Sequence, residues 1–138
     1  MPDVFTPEKR SNVMARIRAK NTKPELAVRR ALHRLGYRFR LHDPRLPGRP
    51  DIVLARHRLI IEVNGCFWHG HRCLKGRIPV GNRAYWVQKI GGNKIRERRN
   101  AHRLRAMGWK VKTVWECEVR RQNTDQLAAG LRKLFAEI

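Results

Sequence analysis

Cys66, His71 and Cys73 fall within the eight-residue run CFWHGHRC, and Cys117 follows much later in the chain. Three thiolates and one imidazole are a donor set for tetrahedral zinc. Closely spaced ligands suit a loop wrapped around an ion, and Cys117 would staple that loop to the rest of the fold. Ion binding would supply folding energy that a segment rich in Gly, Cys and His otherwise lacks. His69 stands close enough to compete with His71 for the ligand position. In the plainer reading Cys117 is a small buried apolar residue and Cys66 and Cys73 are unpaired thiols.

The carboxylates are few, 11 Asp+Glu against 32 Lys+Arg, so their positions carry information. Asp51 opens one apolar run, Ile52 to Ala55, and Glu62 closes the next, Leu59 to Val63. Two adjacent strand ends can bring both acids to one Mg²⁺, with the Val63 carbonyl as a third oxygen. Such an ion activates water and neutralises charge building on a phosphate. In a chain this basic, paired carboxylates repel a polyanion unless a cation sits between them. His69 reads either as a solvated spacer of the loop or, with an ordinary imidazole pKa of about 6.5 that suits proton transfer near neutrality, as an acid–base group. Glu25 completes a T-x-x-E capping box with Thr22. Phe67, Trp68 and Trp86 fit either core packing or stacking on bases.

These residues sit in a chain of 138 residues with a formal net charge of +21, which suits one compact domain, 1–138, and a nucleic-acid partner. Hydrophobic residues, at 41%, suffice for a core. No apolar run approaches a membrane span, and MPDVFTPEKR lacks the apolar core of a signal peptide, so a cytoplasmic protein without disulfides is expected. Residues 1–20 read as an arm with a helix starting at Thr6-Pro7-Glu8 and carrying Val13, Met14 and Ile17. A second helix runs from Thr22 or Lys23 to Gly36, with Leu26, Ala31, Leu32 and Leu35 inward. Alternation predicts a strand over 37–41, then a loop over 43–50 and a hairpin around Arg56–Arg58. An irregular stretch from Asn64 to about Gly81 precedes a basic helix over 93–107, a strand over 109–115 and a last helix over 124–138. The basic helix would ordinarily be a solvated face, but here it can equally bind phosphates. The class is mixed α/β.

Pro50-Asp51, then Glu62-Val63-Asn64, resembles the PD-(D/E)xK pattern of restriction-endonuclease-like nucleases, with Asn64 where lysine usually stands. The resemblance sharpens over Arg10-Ser11 with Met14, Thr22 to Glu25, LPGRPDIV at 46–53, NGCFWHGHRC at 64–73, WVQKIGGN at 86–93 and GWKVKTVWECEVR at 108–120. Over these blocks, roughly residues 8–120, the chain is similar to the very short patch repair (Vsr) DNA mismatch endonucleases.

That resemblance implies a restriction-endonuclease-like αβββαβ core, a structural zinc and Mg²⁺-dependent nicking on the 5′ side of the thymine in a T:G mismatch left by deaminated 5-methylcytosine. It implies Asp51 and the Val63 carbonyl as Mg²⁺ ligands, His69 as the catalytic histidine and Glu25 as an assisting acid. Cys66, His71, Cys73 and Cys117 take the zinc positions. Phe67, Trp68 and Trp86 take those of aromatics wedged into the base stack. Lys89 and Asn93 fall on base-contacting positions, and Met14 on a segment reaching the opposite groove. Two positions depart from the family, which often has histidine at 64 and an apolar residue at 62. Glu62 is therefore expected to bind Mg²⁺ directly or through water, and Asn64, which cannot titrate, leaves more of the acid–base work to His69 and metal-bound water.

The expectation is a monomeric endonuclease acting on double-stranded DNA with a T:G mismatch, with mismatch-repair proteins as potential partners. Two other readings fit the residues: a restriction-type or structure-specific nuclease without mismatch preference, and a zinc-stabilised DNA-binding module without activity.

Overall fold

The computed structural model describes residues 21–71 and 77–137. The expected N-terminal helix, Met14 and Cys73 lie outside the described residues. Helix α1 (Lys23–Arg34) starts at Thr22, whose side chain accepts from the Glu25 N–H at 3.4 Å, with a proline in its first turn. Its inward residues are Val28, Ala31 and Leu32, with Leu35 partly buried; Val28 takes the place expected of Leu26.

Strands β1 (Arg40–Leu41), β2 (Ile52–Leu54), β3 (Leu59–Asn64) and β4 (Lys110–Trp115) form one sheet in that order. The first two pairings are antiparallel and β3–β4 is parallel, the crossover running through helix α2 (Arg83–Ala106). Short helix α3 (Glu116–Arg120) and helix α4 (Thr124–Ala136) follow. Asn123 and Gln126 cap α4 reciprocally. Among the described residues no helix is long and apolar enough to cross a membrane.

Alternation along β2 and β3 divides the interior in two. Ile52, Leu54, Leu59, Ile61 and Val63 face α1, α3 and α4 in one core, while Val53 and Ile60 meet Leu104 and Trp109 in another. Successive side chains point to opposite faces of a strand, so Asp51, Glu62 and Asn64 belong to the face that α2 covers. That face holds the site.

Three elements differ from the sequence expectation. The strand over 37–41 pairs only at Arg40 and Leu41, because β2 ends at Leu54 and the chain turns into a 3₁₀ helix (Ala55–His57) where Tyr37 and Arg38 would need a partner strand. The alternation there is nevertheless real: Tyr37 stacks on Phe135 with ring centroids 3.9 Å apart, and Phe39 packs on the first core. Helix α2 begins at Arg83, ten residues before the expected start at 93. Gly91 and Gly92 each cost about 1 kcal/mol in a helix interior, but the burial of Ile90 beside them and of Trp86 about one turn upstream carries the helix through them. Helix α3, which carries Cys117, is too short to show a period in the sequence.

Candidate active site

Asp51 and Glu62 meet at the ends of the antiparallel β2–β3 pair, as the hairpin required. The Val63 N–H donates to Asp51 Oδ2 at 2.8 Å, and the Asp51 N–H faces Glu62 Oε2 at 3.5 Å. Burial pushes the Asp51 carboxyl up to about 6, against the pull of the Val63 N–H. Burial first, and then the neighbouring Asp51 charge, holds Glu62 well above the ordinary carboxylate range. Carboxylates buried beside one another, with Glu25 adding to the repulsion on both Asp51 and Glu62, make a site whose charge a divalent cation relieves.

Glu25 reaches the same place from α1. Thr22 alone caps the helix with its side chain. The Glu25 carboxylate does not return to the Thr22 N–H; its Oε2 accepts from the Asn21 N–H at 3.2 Å and pairs with Arg29. Its Oε1 lies 2.9 Å from His42 Nε2, and that nitrogen lies 3.9 Å from Asp51 Oδ1. His42 follows β1 with a positive φ of 47°, and its backbone N–H donates to the Asp51 carbonyl at 3.1 Å. The loop between His42 and Asp51 is braced by Asp43, whose carboxylate accepts three bonds from Arg45 at 3.0 Å. It lies against α2 at Gly48, where a Cβ would stand 2.6 Å from the Asn100 amide.

His69 faces this group across a cavity of about 480 Å³ whose lining includes His42, Asp51, Glu62, Asn64, His69 and Glu97. Its Nδ1 is paired with Glu97 of α2, a carboxylate that fixes the ring's orientation and the nitrogen that carries its proton. The loop bearing His69 is pressed onto the same helix: Gly70 has φ +60°, and a Cβ there would stand 2.5 Å from Lys94. Asn64 is buried in the wall.

Cys66, His71 and Cys117 form a second donor group, one ligand atom from each lying within 4.8 Å of the others. Cys117 Sγ is 3.6 Å from His71 Nδ1, and the His71 ring stacks on Trp115 at 4.1 Å. The Cys66 N–H donates to Glu116 at 3.4 Å, tying the loop to α3. His71 is the histidine that joins the cysteines; His69 instead belongs to the cavity. Two soft sulfurs and an imidazole at this separation fit zinc, with Cys73 outside the described residues.

Phe67, Trp68 and Trp86 are brought together, with ring centroids 5.1 to 5.8 Å apart in edge-to-face contacts. Phe67 and Trp68 are half-buried, while Trp86 is only 5% exposed and packs behind them. Asn93, 3% exposed, donates its side-chain amide to the Trp68 carbonyl at 3.0 Å and accepts from Arg96. In the DNA-free chain these two hold the aromatic trio in place. Lys89 is half-buried, and Arg98, Arg99, Arg103 and Arg105 line exposed faces of α2.

His42 and Glu97 are the site residues that sequence reasoning did not assign. A signal for His42 exists: the Pro- and Gly-rich loop over 43–50 must return on itself, so the residues flanking it, 42 and 51, face each other. For Glu97, set in an arginine-rich helix, the sequence carries no such signal.

Residues 2–75 match the family model described as DNA mismatch endonuclease Vsr. The chain is 48% identical over 135 residues, 98% of each chain, to the type II nicking enzyme V.XorIIP of Xanthomonas oryzae. It is 46% identical over 138 residues, 100% of this chain and 97% of the relative, to the type II nicking enzyme V.NmeAIP of Neisseria meningitidis. With the DNA mismatch endonuclease Vsr of Escherichia coli it shares 41% identity over 120 residues, 87% of this chain and 77% of the relative.

Proposed function

The chain belongs to the Vsr family of DNA mismatch endonucleases, and from that premise we propose that it nicks one strand 5′ of the thymine in a T:G mismatch by Mg²⁺-dependent hydrolysis on a restriction-endonuclease-like core. The observation that carries this reading is the shared cavity: tethered acids on the strand ends form one wall, and a carboxylate-bound histidine with a basic helix forms the other.

Asp51, with Glu62 and the Val63 carbonyl beside it, offers the oxygen donors that Mg²⁺ requires. When bound there, the ion supplies charge neutralisation on the scissile phosphate and a more acidic water. The Val63 N–H keeps Asp51 Oδ2 in place, so the carboxylate is preorganised. Glu25, anchored by Arg29 and the Asn21 N–H, adds negative charge on the α1 side. His69, with Nδ1 held by Glu97, moves the proton at Nε2 as general acid or base. Asn64 contributes a polar wall that does not titrate.

Cys66, His71, Cys73 and Cys117 hold a structural zinc that keeps the His69 loop against the sheet. Phe67 and Trp68 enter the base stack with Trp86 supporting them. A mismatched step costs less to unstack than a paired one, so selectivity arises from deformation as well as contact. Lys89 contacts the bases, Asn93 acts from behind through the Trp68 carbonyl it holds, Met14 serves the opposite groove, and the arginines of α2 bind phosphates as a monomer engages the duplex.

The test is strand scission on otherwise identical duplexes holding T:G or T:A, with Mg²⁺ and then with EDTA. One-strand scission confined to T:G and Mg²⁺ supports the reading, and scission of both duplexes makes the chain a nuclease without mismatch preference. Mg²⁺-dependent nicking unchanged in Glu62→Gln removes Glu62 from the ion.

A further inference from the structure

Three donor atoms from three elements converge at one point: Glu25 Oε1 from α1, His42 Nε2 after β1 and Asp51 Oδ1 before β2. One ligand atom of each residue lies within 4.8 Å of the other two. His42 Nε2 is 2.9 Å from Oε1 and 3.9 Å from Oδ1, and the second separation is too long for a hydrogen bond. Neighbouring ligands on one ion with bonds of about 2.1 Å stand about 3–4 Å apart, so both separations fit a shared cation.

Both carboxylates are tethered through their other oxygen. Glu25 Oε2 is held by the Asn21 N–H and Arg29, and Asp51 Oδ2 by the Val63 N–H. None of these tethers uses Oε1 or Oδ1. Outer partners that orient ligating oxygens in this way are the usual support of a metal site.

We propose that Glu25, His42 and Asp51 form a divalent-cation site in which the His42 imidazole is a direct ligand. The proposal rests on the reading of Asp51 as a cation-holding residue and adds a nitrogen donor facing its Oδ1. A neutral ring with its proton on Nδ1 offers the Nε2 lone pair. Arg29 offsets one of the two carboxylate charges, leaving net negative charge for the ion. A set of two oxygens and one imidazole prefers a transition ion such as Mn²⁺ to the harder Mg²⁺. All three donors come from the protein, so the ion binds before DNA arrives.

The test is Mn²⁺ titration of the zinc-loaded full chain without DNA, followed by electron paramagnetic resonance with spin-echo detection of ¹⁴N coupling. The expected result is one bound Mn²⁺ with an imidazole ¹⁴N signal that survives in His69→Gln and disappears in His42→Gln. His42→Gln keeps an amide able to bond Glu25, and its fold is checked by circular dichroism. This variant is expected to weaken Mn²⁺ about tenfold or more while changing Mg²⁺ affinity less than about threefold. Bound Mn²⁺ without ¹⁴N coupling, or wild-type Mn²⁺ affinity in His42→Gln, overturns the proposal. Asp51→Asn separates the two readings. If it loses Mn²⁺ and nicking while His42→Gln binds as wild type, only the His42 assignment fails. If Asp51→Asn binds and nicks normally, the nuclease site itself is misassigned.

Discussion

The Val63 N–H donates to Asp51 Oδ2 at 2.8 Å, so the carboxylate at the tip of one strand is oriented by the backbone of the next. A peptide N–H cannot leave its strand without breaking the sheet, and Asp51 is therefore held even though its burial and the neighbouring Glu25 carboxylate disfavour its charge.

That conflict makes stability depend on pH. The Asp51 carboxyl is raised to about 6 and Glu62 is raised as well, so the folded state binds protons more tightly than the unfolded chain. Stability without Mg²⁺ then falls as pH rises from the ordinary carboxylate range through the folded values, by an amount on the order of 2–3 kcal/mol for Asp51. Asp51→Asn is expected to melt about 4 °C or more above wild type at pH 8, and together with it at pH 4. Added Mg²⁺ should raise the wild-type melting temperature and leave the variant unmoved. Equal melting at both pH values contradicts this account.

The ion pair between His69 and Glu97 makes Glu97 a positioning residue. His69→Ala is expected to lower kcat about 10²- to 10⁴-fold with DNA affinity little changed. Glu97→Gln should fall in between, lowering kcat by about tenfold and moving the pH–rate profile, with KM held. A Glu97→Gln profile that overlays wild type would show that the pair does not act in the reaction.

How much of this was legible is clearest at particular residues. The two apolar runs, one opened by Asp51 and the other closed by Glu62, specify a hairpin with both acids at its open end, and donor type groups the cysteines with a histidine while leaving His69 and His71 to be told apart by packing. His42 was not assigned because its partner Glu25 lies 17 residues away on a helix, a proximity created by packing. Glu97 reads as an ordinary solvated charge between arginines until the His69 loop folds onto it. The sequence hides the first ten residues of helix α2 because the low helix propensity of Gly91-Gly92 is overridden only by the burial of Trp86 and Ile90.

The aromatic trio divides by burial. Trp86→Ala is expected to destabilise the fold by about 3–5 kcal/mol, as for a buried aromatic. The half-buried Phe67 and Trp68, truncated to Ala, should each weaken DNA binding by about 1–3 kcal/mol. They should narrow the T:G over T:A preference while costing far less stability. Thermal melts beside mismatch-binding assays check both, and an unchanged preference in the Phe67→Ala/Trp68→Ala double variant would remove the wedge.

Zinc content should be one per chain by elemental analysis. Cys117→Ser is expected to lose the metal and lower the melting temperature, because the tie from the His69 loop to the end of β4 goes with it. A Cys117→Ser protein that keeps full zinc and wild-type melting would exclude Cys117 from the site.

The central claim, that Asp51 carries the chemistry, is tested most directly by single-turnover nicking of a T:G duplex by Asp51→Asn in saturating Mg²⁺, with binding measured in parallel by gel shift. The account expects the duplex to be bound and the nicking rate to fall by about 10³-fold or more. Scission at the wild-type rate would contradict it.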